Sequence, residues 1–457
     1  MDQTTQVEIE PMTAPAALAT KKTSIRLPLT EAGPAALVRP LGAFERMLHR
    51  HMEEHPMHFS LVAELAGAVE PSRVRAALVA VQHRHALLKV HIEDHPSTRL
   101  GFYRPATVPP IPLTVLDAAA AGPTWQQVAA EELATRFDPA VAPLVRAVLL
   151  RQGANAATLV LSFDHTVADG MAALFVLEDV LAVLNGHKLN VLPVPHSQEE
   201  MLRHVLTGPV AAAAPTAETP SVDERLSAFV PTRPFDGAPP DISTITFDED
   251  LTTRLVRCCR AERTTVHAAL VAATTQVMTR AGNREVVRVF SPFNFRPLLG
   301  YVRDSANYFS ATRTGFLPEQ TQDLWELARL TGAQLAQARS EAGTRGISAA
   351  VEQYIPIDAD NAAATGFMTA GLSSEALISN LGVLHLDETG PVRATAVWGP
   401  VLLTQFEHES VIGVTTLAGQ LRLVCATHAP IPGLLALIRD TLDVASWPLR
   451  EWTGLNI

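Results

Sequence analysis

Cysteine is scarce in this chain, which limits what can hold the fold together. Only three cysteines occur among 457 residues, namely the adjacent Cys258 and Cys259 and the distant Cys425. This number and spacing do not suit the disulfide framework of a small secreted domain, so we expect reduced thiols. The adjacent pair is compatible with redox chemistry, but two small buried residues on one helix are the simpler interpretation.

A long apolar segment is also missing. No stretch of about eighteen uninterrupted apolar residues occurs, so the sequence predicts no transmembrane helix. The first residues mix acidic, polar and apolar side chains and lack the apolar core of a signal peptide. We therefore expect residues 1–24 to be a disordered extension and the protein to be cytoplasmic.

Positive charge is in deficit as well. The sequence has 36 lysines and arginines against 47 aspartates and glutamates, a formal net charge of −11. This balance disfavours a general nucleic-acid or anionic-membrane binder, although it leaves room for a local basic pocket. A glycine-rich phosphate fingerprint is also absent, which argues against a dinucleotide-binding fold.

The length of the chain and one change in composition indicate two halves. A chain of 457 residues exceeds one ordinary core. Proline and alanine dominate residues 208–241, which we interpret as a crossover linker between an N-terminal half, 25–207, and a C-terminal half, 242–457. Strand-like and helix-like segments mix in each half without strict alternation, which predicts an α+β fold with mixed sheets in α/β layers.

Hydrophobic periodicity and turn residues give the expected elements. We predict strands over residues 59–68, 87–92, 144–151, 157–163, 242–246, 286–290, 376–379, 409–416 and 421–426. We predict helices over residues 72–85, 125–136, 170–184, 222–229, 251–260, 265–280 and 431–445.

The segment from Ser162 to Gly170 carries the strongest chemical signal, because His165 lies between a predicted strand and a predicted helix. A histidine at such a junction faces a cleft and exchanges protons near neutral pH. Two simpler interpretations compete with catalysis: a hydrogen-bonded structural histidine, and a helix cap at Asp169. A second polar run, Asn294 to Arg296, follows another predicted strand.

The sequence His-Thr-Val-Ala-Asp-Gly at residues 165–170 resembles the H-x-x-x-D-G signature of the acyl-CoA-dependent acyltransferase superfamily. This group includes chloramphenicol acetyltransferase, plant alcohol acyltransferases, nonribosomal peptide condensation domains and polyketide-associated acyltransferases. Supporting segments follow the family order at residues 76–92, 137–146, 264–270, 294–296 and 379–382. The likeness covers most of the chain from about residue 36 and is closest to the polyketide-associated type, such as the phthiocerol/phthiodiolone dimycocerosyl transferases.

The resemblance implies two chloramphenicol acetyltransferase-like halves with a tunnel at their interface. In that family the thioester and the acceptor enter from opposite faces, and His165 would act as the general base of a direct transfer. Asp169 would form an ion pair with an arginine, for which Arg296 is our candidate. Gly170 would be needed because a Cβ would crowd the loop or the thioester path.

Four further residues are expected to line the tunnel: Asp164, Asn294, Ser379 and Asn380. Many condensation domains have a second histidine directly before the catalytic one, and Asp164 occupies that position here. A carboxylate there would raise the pKa of His165 if it pointed inward, although neighbouring residues on a strand usually face opposite sides.

Other histidines have simpler interpretations than catalysis or metal binding. A cluster occurs at His49, His51, His55 and His58, but its spacing matches no standard metal site, so we predict no metal. We expect His267 to be a core histidine within an apolar helix.

The expected function is acyl transfer from a coenzyme A or carrier-protein thioester to a hydroxyl of a lipid, polyketide, sugar or other natural product. The thioester would be a co-substrate, with no permanently bound cofactor and no nucleic-acid partner, and the protein would be a monomer. Two alternatives remain. One is a free-standing condensation enzyme that forms an amide, and the other is a non-catalytic homologue that binds a thioester or a carrier protein.

Overall fold

The computed structural model describes residues 35–95, 98–118, 122–207, 224–282, 284–300, 302–320 and 322–447. The predicted extension, residues 1–24, lies outside the described residues, as do residues 208–223 of the predicted linker.

Helices and strands alternate irregularly along the described chain. The helices are α1 Ala43–Met52, α2 Pro71–Arg84, α3 Trp125–Ala134, α4 Gly170–Leu184, α5 Gln198–Val205, α6 Glu224–Ser227, α7 Glu249–Ala261, α8 Val266–Ala281, α9 Leu324–Arg339, α10 Glu341–Tyr354, α11 Asn361–Leu372 and α12 Leu434–Ser446. The strands are β1 Ala36–Pro40, β2 Phe59–Ala66, β3 His91–Glu93, β4 Gly101–Arg104, β5 Leu113–Asp117, β6 Val145–Arg151, β7 Ala156–Phe163, β8 Asp241–Phe247, β9 Val287–Asn294, β10 Phe309–Phe316, β11 Ala376–Val383, β12 Arg393–Leu402, β13 Ser410–Leu417 and β14 Gln420–Thr427.

A five-stranded mixed sheet forms the N-terminal half, in the order β12-β2-β7-β6-β5. The two predicted neighbouring strands are confirmed, because β6 and β7 pair antiparallel with Val145 opposite Phe163. Strand β5 joins β6 in parallel. Strand β7 is buried along nearly its whole length, as its continuous apolar sequence requires.

A six-stranded mixed sheet forms most of the C-terminal half, in the order β10-β9-β11-β13-β14-β8. Strand β11 runs parallel to both of its neighbours, and the other pairs are antiparallel. Helices α7, α8, α9 and α12 cover one side of this sheet and bury their apolar faces against it. The predicted α+β class with mixed sheets is therefore confirmed.

One strand crosses between the halves. Strand β12 follows β11 in the chain, yet it pairs antiparallel with β2 of the N-terminal sheet, with Leu402 opposite Phe59. The chain then returns to the C-terminal sheet as β13. A division of the chain at residue 242 is therefore not a complete description of the two sheets.

Two predicted elements differ from the structure. Residues 87–92 do not form one strand, because a 3-10 helix covers Ala86–Lys89 and only His91–Glu93 is extended. Leu87 and Leu88 are both fully buried, a pattern that a strand with one solvent face does not give. The predicted helix over 222–229 is the single turn Glu224–Ser227 among the described residues.

Candidate active site

The turn that carries His165 connects the end of β7 to the start of α4. Asp169 is the N-cap of α4, because its Oδ1 accepts a hydrogen bond from the backbone N–H of Ala172 at 2.8 Å. Asp164 closes the other end of the turn: its Oδ1 accepts from the backbone N–H of Thr166 at 2.9 Å and from the Thr166 hydroxyl at 2.5 Å. Both carboxylates therefore stabilise the backbone on either side of His165.

The His165 ring lies between two phenylalanine rings. Its centroid is 5.0 Å from that of Phe59 and 5.4 Å from that of Phe309, with the Phe309 ring stacked. The residue is only 8 % exposed. Burial lowers the pKa of His165 below its ordinary value, and nearby Asp169 and Asp164 oppose that shift. The imidazole is consequently neutral at neutral pH, the form that accepts a proton.

Asp169 also forms a buried ion pair with Arg296. Asp169 Oδ2 accepts from Arg296 Nη1 at 2.7 Å and from the backbone N–H of Tyr308 at 2.8 Å. Arg296 is 2 % exposed and donates through Nη2 to the carbonyl of Ala306 at 2.8 Å. The structure thus brings together the two residues predicted to pair, one at the start of α4 and one just after β9, and so connects the halves.

The segment that precedes β10 also holds the turn, a role that its sequence did not reveal. Asn307 Nδ2 donates to the carbonyls of His165 and Thr166 at 2.8 and 2.9 Å. Ser305 Oγ donates to the carbonyl of Val167 at 2.9 Å. These two side chains satisfy three buried carbonyls of the turn that carries His165. The polar residues at 304–307 can be recognised in the sequence, but the sequence does not indicate that they contact a turn about 140 residues earlier.

Gly170 lies where β11 and β12 approach α4. A Cβ on Gly170 would lie 2.8 Å from Leu381 Cδ2 and 3.5 Å from Pro400 Cγ. The first distance is shorter than a normal contact between carbon atoms, so glycine permits this close packing beside His165.

A cavity of about 280 Å³ lies between the halves, and His165 is part of its wall. Aromatic, aliphatic and methionine side chains from both halves form most of the surface, including Phe44, Met47, Phe59, Phe309, Phe367 and Met368. Because apolar walls favour apolar ligands, this cavity suits an aliphatic or aromatic group rather than a highly charged one.

Three of the four residues predicted to line the tunnel lie in this wall: Asn294, Ser379 and Asn380. Asp164 does not, so that prediction was wrong for the described cavity. Its carboxylate turns back into the loop to hold Thr166, whereas His165 and Asp169 of the same turn line the cavity.

One group of metal-ligating side chains occurs among the described residues. His49, Glu53 and Asp94 bring one ligand atom each within 4.8 Å of one another. The Arg50 guanidinium already pairs with Glu53 at 2.8 Å and with Asp94, and a second cation there would be repelled. The geometry therefore gives no support for a metal at this point.

Other chemically notable side chains lie in the core. His267 Nε2 is 3.0 Å from Ser291 Oγ, and burial lowers the pKa of His267 to about 3. The three cysteines are free, and burial raises the pKa of Cys425 to about 12, so its thiol is unreactive. In the part of the chain that the structure describes, no helix has the length and apolar character needed to cross a membrane.

Comparison with known proteins agrees with this fold. The family model of the condensation domain matches residues 45–201. One of the plipastatin synthase proteins of Bacillus subtilis is 26% identical over 249 residues, which are 52% of this chain and 9% of that protein. The chain thus spans under a tenth of the length of this curated relative.

Solved structures extend the likeness to both halves. Polyketide synthase associated protein 5 from Mycobacterium tuberculosis has a TM-score of 0.64 at 17% identity, covering 91% of this chain and 99% of that one. The SgcC5 protein from Streptomyces globisporus has a TM-score of 0.58 at 17% identity, covering 89% and 98%. The chain is thus similar to the condensation domain over residues 45–201 and shares the fold of these solved structures along most of its length.

Proposed function

We propose that this protein transfers an acyl group from a thioester to a hydroxyl, with His165 as the general base. The observation that carries the proposal is a neutral histidine in the wall of an apolar cavity between the two halves. Its companion carboxylates are fully engaged elsewhere, Asp169 with Arg296 and Asp164 with Thr166. A single base in an apolar site suits direct transfer between two bound substrates.

The proposed step needs no other protein nucleophile. His165 takes the proton of the acceptor hydroxyl as its oxygen forms a bond to the thioester carbonyl carbon. The carbon–sulfur bond then breaks, and the imidazolium returns the proton to the departing thiolate. Atoms and charges balance without a metal or a redox partner, and the products are an ester and a free thiol. The thioester is a co-substrate, and no permanently bound cofactor is proposed.

Two observations support a hydroxyl acceptor: the apolar walls of the cavity and the compound bound in one similar structure. The structure of the SgcC5 protein holds a naphthyl ethanediol, an aromatic compound with two hydroxyls. The apolar cavity here has room for such a group, and its aromatic walls suit it. We therefore propose an apolar alcohol as the acceptor, with a lipid, polyketide or other natural product as its source.

An amide-forming reaction is the second candidate, because the condensation-domain model matches part of the chain and one relative, from Curvularia clavata, is a nonribosomal peptide synthetase. The two candidates separate in one experiment. The full chain is incubated with an acyl thioester and matched apolar alcohols and amines, and thiol release and products are measured. We expect ester from the alcohols. Amide alone would favour the second candidate, and tight thioester binding without product would favour a non-catalytic homologue.

A further inference from the structure

A buried histidine connects α4 with the segment that precedes β10. His85 is the C-cap of α2 and is 1 % exposed. Its Nε2 lies 2.9 Å from Oδ2 of Asp179, in the middle of α4. Its Nδ1 lies 3.2 Å from the backbone nitrogen of Ser305. One imidazole thus joins the helix that Asp169 caps to the segment that holds the turn of His165.

The two contacts of the His85 ring fix its tautomer. The backbone N–H of Ser305 can only donate, so Nδ1 accepts this hydrogen bond and carries no proton. The carboxylate of Asp179 accepts, so Nε2 carries the proton and donates. The Arg84 guanidinium lies 2.7 Å from the same carboxylate, which gives Asp179 a cationic partner apart from His85. The particular contribution of His85 is therefore the lone pair that it offers to Ser305.

The segment fixed by this contact holds the turn of the proposed base. Ser305 Oγ donates to the carbonyl of Val167 at 2.9 Å. Two residues later, Asn307 Nδ2 donates to the carbonyl of His165 at 2.8 Å. Both bonds depend on where the backbone of the segment lies, and the His85 contact holds that backbone at Ser305. The position of the turn thus depends on His85 through one intervening segment.

His85 can influence the reaction only indirectly. Neither His85 nor Ser305 lines the described cavity, whereas His165 does. A buried N–H that loses its acceptor is costly, so the segment would move to find another partner. Because the turn is bonded to the segment, His165 would move with it. A displacement of about 1 Å at a reacting group is enough to reduce a rate by about 100-fold.

We infer that His85 is a positioning residue for the proposed acyl transfer. Its Nδ1 fixes Ser305, and Ser305 and its neighbours fix the turn that presents the His165 imidazole to the cavity. The contact with Asp179 orients the ring, and the contact with Ser305 is the one that turnover requires. The inference rests on the proposed function for its kinetic readout, whereas its structural readout is independent of turnover.

Two amide variants separate the two ends of the ring. An asparagine places its Oδ1 close to the position of the imidazole Nδ1, and a glutamine places its Nε2 close to that of the imidazole Nε2. His85→Asn therefore keeps the acceptor for Ser305 and loses the donor to Asp179. His85→Gln keeps the donor and loses the acceptor. Arg84 remains the partner of Asp179 in both variants.

Steady-state kinetics of thiol release should show an asymmetry between these variants. We expect kcat to fall by about tenfold or more in His85→Gln and to stay within about threefold of the wild type in His85→Asn. KM should change by less than about threefold in both, because the ring does not line the described cavity. His83→Gln, at an exposed position of the same helix, is the matched control. Equal losses, or a larger loss in His85→Asn, would overturn the inference.

A double variant tests the route through Ser305. Ser305→Ala removes the hydroxyl that holds Val167, so it should lower kcat by itself. If both residues act through one segment, His85→Gln combined with Ser305→Ala should lower kcat little more than the larger single loss. Fold losses that multiply would show that the two residues act independently and would contradict this route.

Hydrogen exchange of the full chain gives the readout that needs no turnover. After thermal unfolding has established which variants are folded, peptides covering residues 164–169 and 303–308 are compared. Both should exchange about fivefold faster or more in His85→Gln and at the wild-type rate in His85→Asn, because only the first frees the Ser305 N–H. Unchanged exchange in folded His85→Gln would overturn the inference.

His85→Asn also decides the matter if His85→Gln does not fold. A folded His85→Asn with less than about a tenth of the wild-type kcat, or with faster exchange in both peptides, would overturn the inference. Wild-type kcat and exchange in this variant would support it. Absence of acyl transfer by the wild type would contradict the proposed function, and the exchange comparison would then decide the role of His85 alone.

Discussion

At the scale of the residue, the side chains of the turn between β7 and α4 make different kinds of contact. His165 and Asp169 both line the cavity, and Asp169 and Asp164 hold the backbone on either side of the histidine. The sequence was sufficient to select His165 and Asp169, because both belong to the H-x-x-x-D-G signature. It was also sufficient to select Arg296, which belongs to a polar run at the end of a predicted strand. It could not show that Asp164 turns back to Thr166, because that depends on the local backbone path.

The Arg296 ion pair should be essential for stability. Arg296→Ala leaves the buried Asp169 carboxylate without its cation, which we expect to cost about 3–5 kcal/mol of unfolding free energy. Activity should fall with it, because Asp169 caps α4 beside His165. Urea unfolding measures the loss. Asp169→Asn in the same background should recover part of the stability, and full stability of Arg296→Ala alone would contradict a buried pair.

The pH dependence of activity should follow the lowered pKa of His165. The base is active when neutral, so kcat/KM should rise with pH and level off below the ordinary histidine value of about 6.5. Asp164→Asn removes a nearby carboxylate that raises this pKa, so the midpoint should move to lower pH. A pH–rate profile checks both. A wild-type midpoint above 6.5 would contradict the burial argument.

At the scale of the element, the local patterns predicted β6, β7 and α4, because each has a strong apolar period and clear ends. Helices α10 and α11 were missed, since each contains two glycines, which lower helix propensity. Packing against α1 in an apolar cluster compensates for them. Strand β12 was missed because Gly399 and Pro400 interrupt its sequence and its partner β2 lies more than 300 residues earlier.

The contact between α4 and β11 predicts a defined cost for Gly170→Ala. The new Cβ would meet the terminal Cδ2 methyl of the partly buried Leu381 at 2.8 Å, so this side chain must leave its rotamer, and we expect a loss of about 0.5–1.5 kcal/mol in unfolding free energy and reduced turnover. Leu381→Ala should relieve that contact. A double-mutant cycle by chemical unfolding measures the coupling, and strictly additive losses would show that the two side chains do not collide.

At the scale of the whole molecule, β12 and the segment after it join the two sheets around the cavity. Thr404 and Phe406 of this segment line the cavity. Buried Glu409 holds it, because its Oε1 accepts from the backbone N–H groups of Thr404 and Gln405 at 2.9 and 2.8 Å. Such long-range closure lies outside what local sequence patterns encode.

Glu409 should make global stability depend on pH. Burial raises the pKa of Glu409 to about 7, so its contribution is complete below its ordinary value of 4.5 and is lost as the pH rises through 7. Unfolding free energies of the wild type and Glu409→Gln across this range isolate the effect. The difference between the two proteins should change with pH, and a constant difference would contradict the assignment.

The most direct test of the central claim is acyl transfer by His165→Ala, measured as thiol release and ester formation from an acyl thioester and an apolar alcohol. Loss of the general base should reduce turnover by about 10²–10⁴-fold in a protein that still unfolds at the wild-type temperature. His187→Ala, an exposed histidine beyond α4, is the matched control and should retain full activity. Undiminished ester formation by folded His165→Ala would contradict the account.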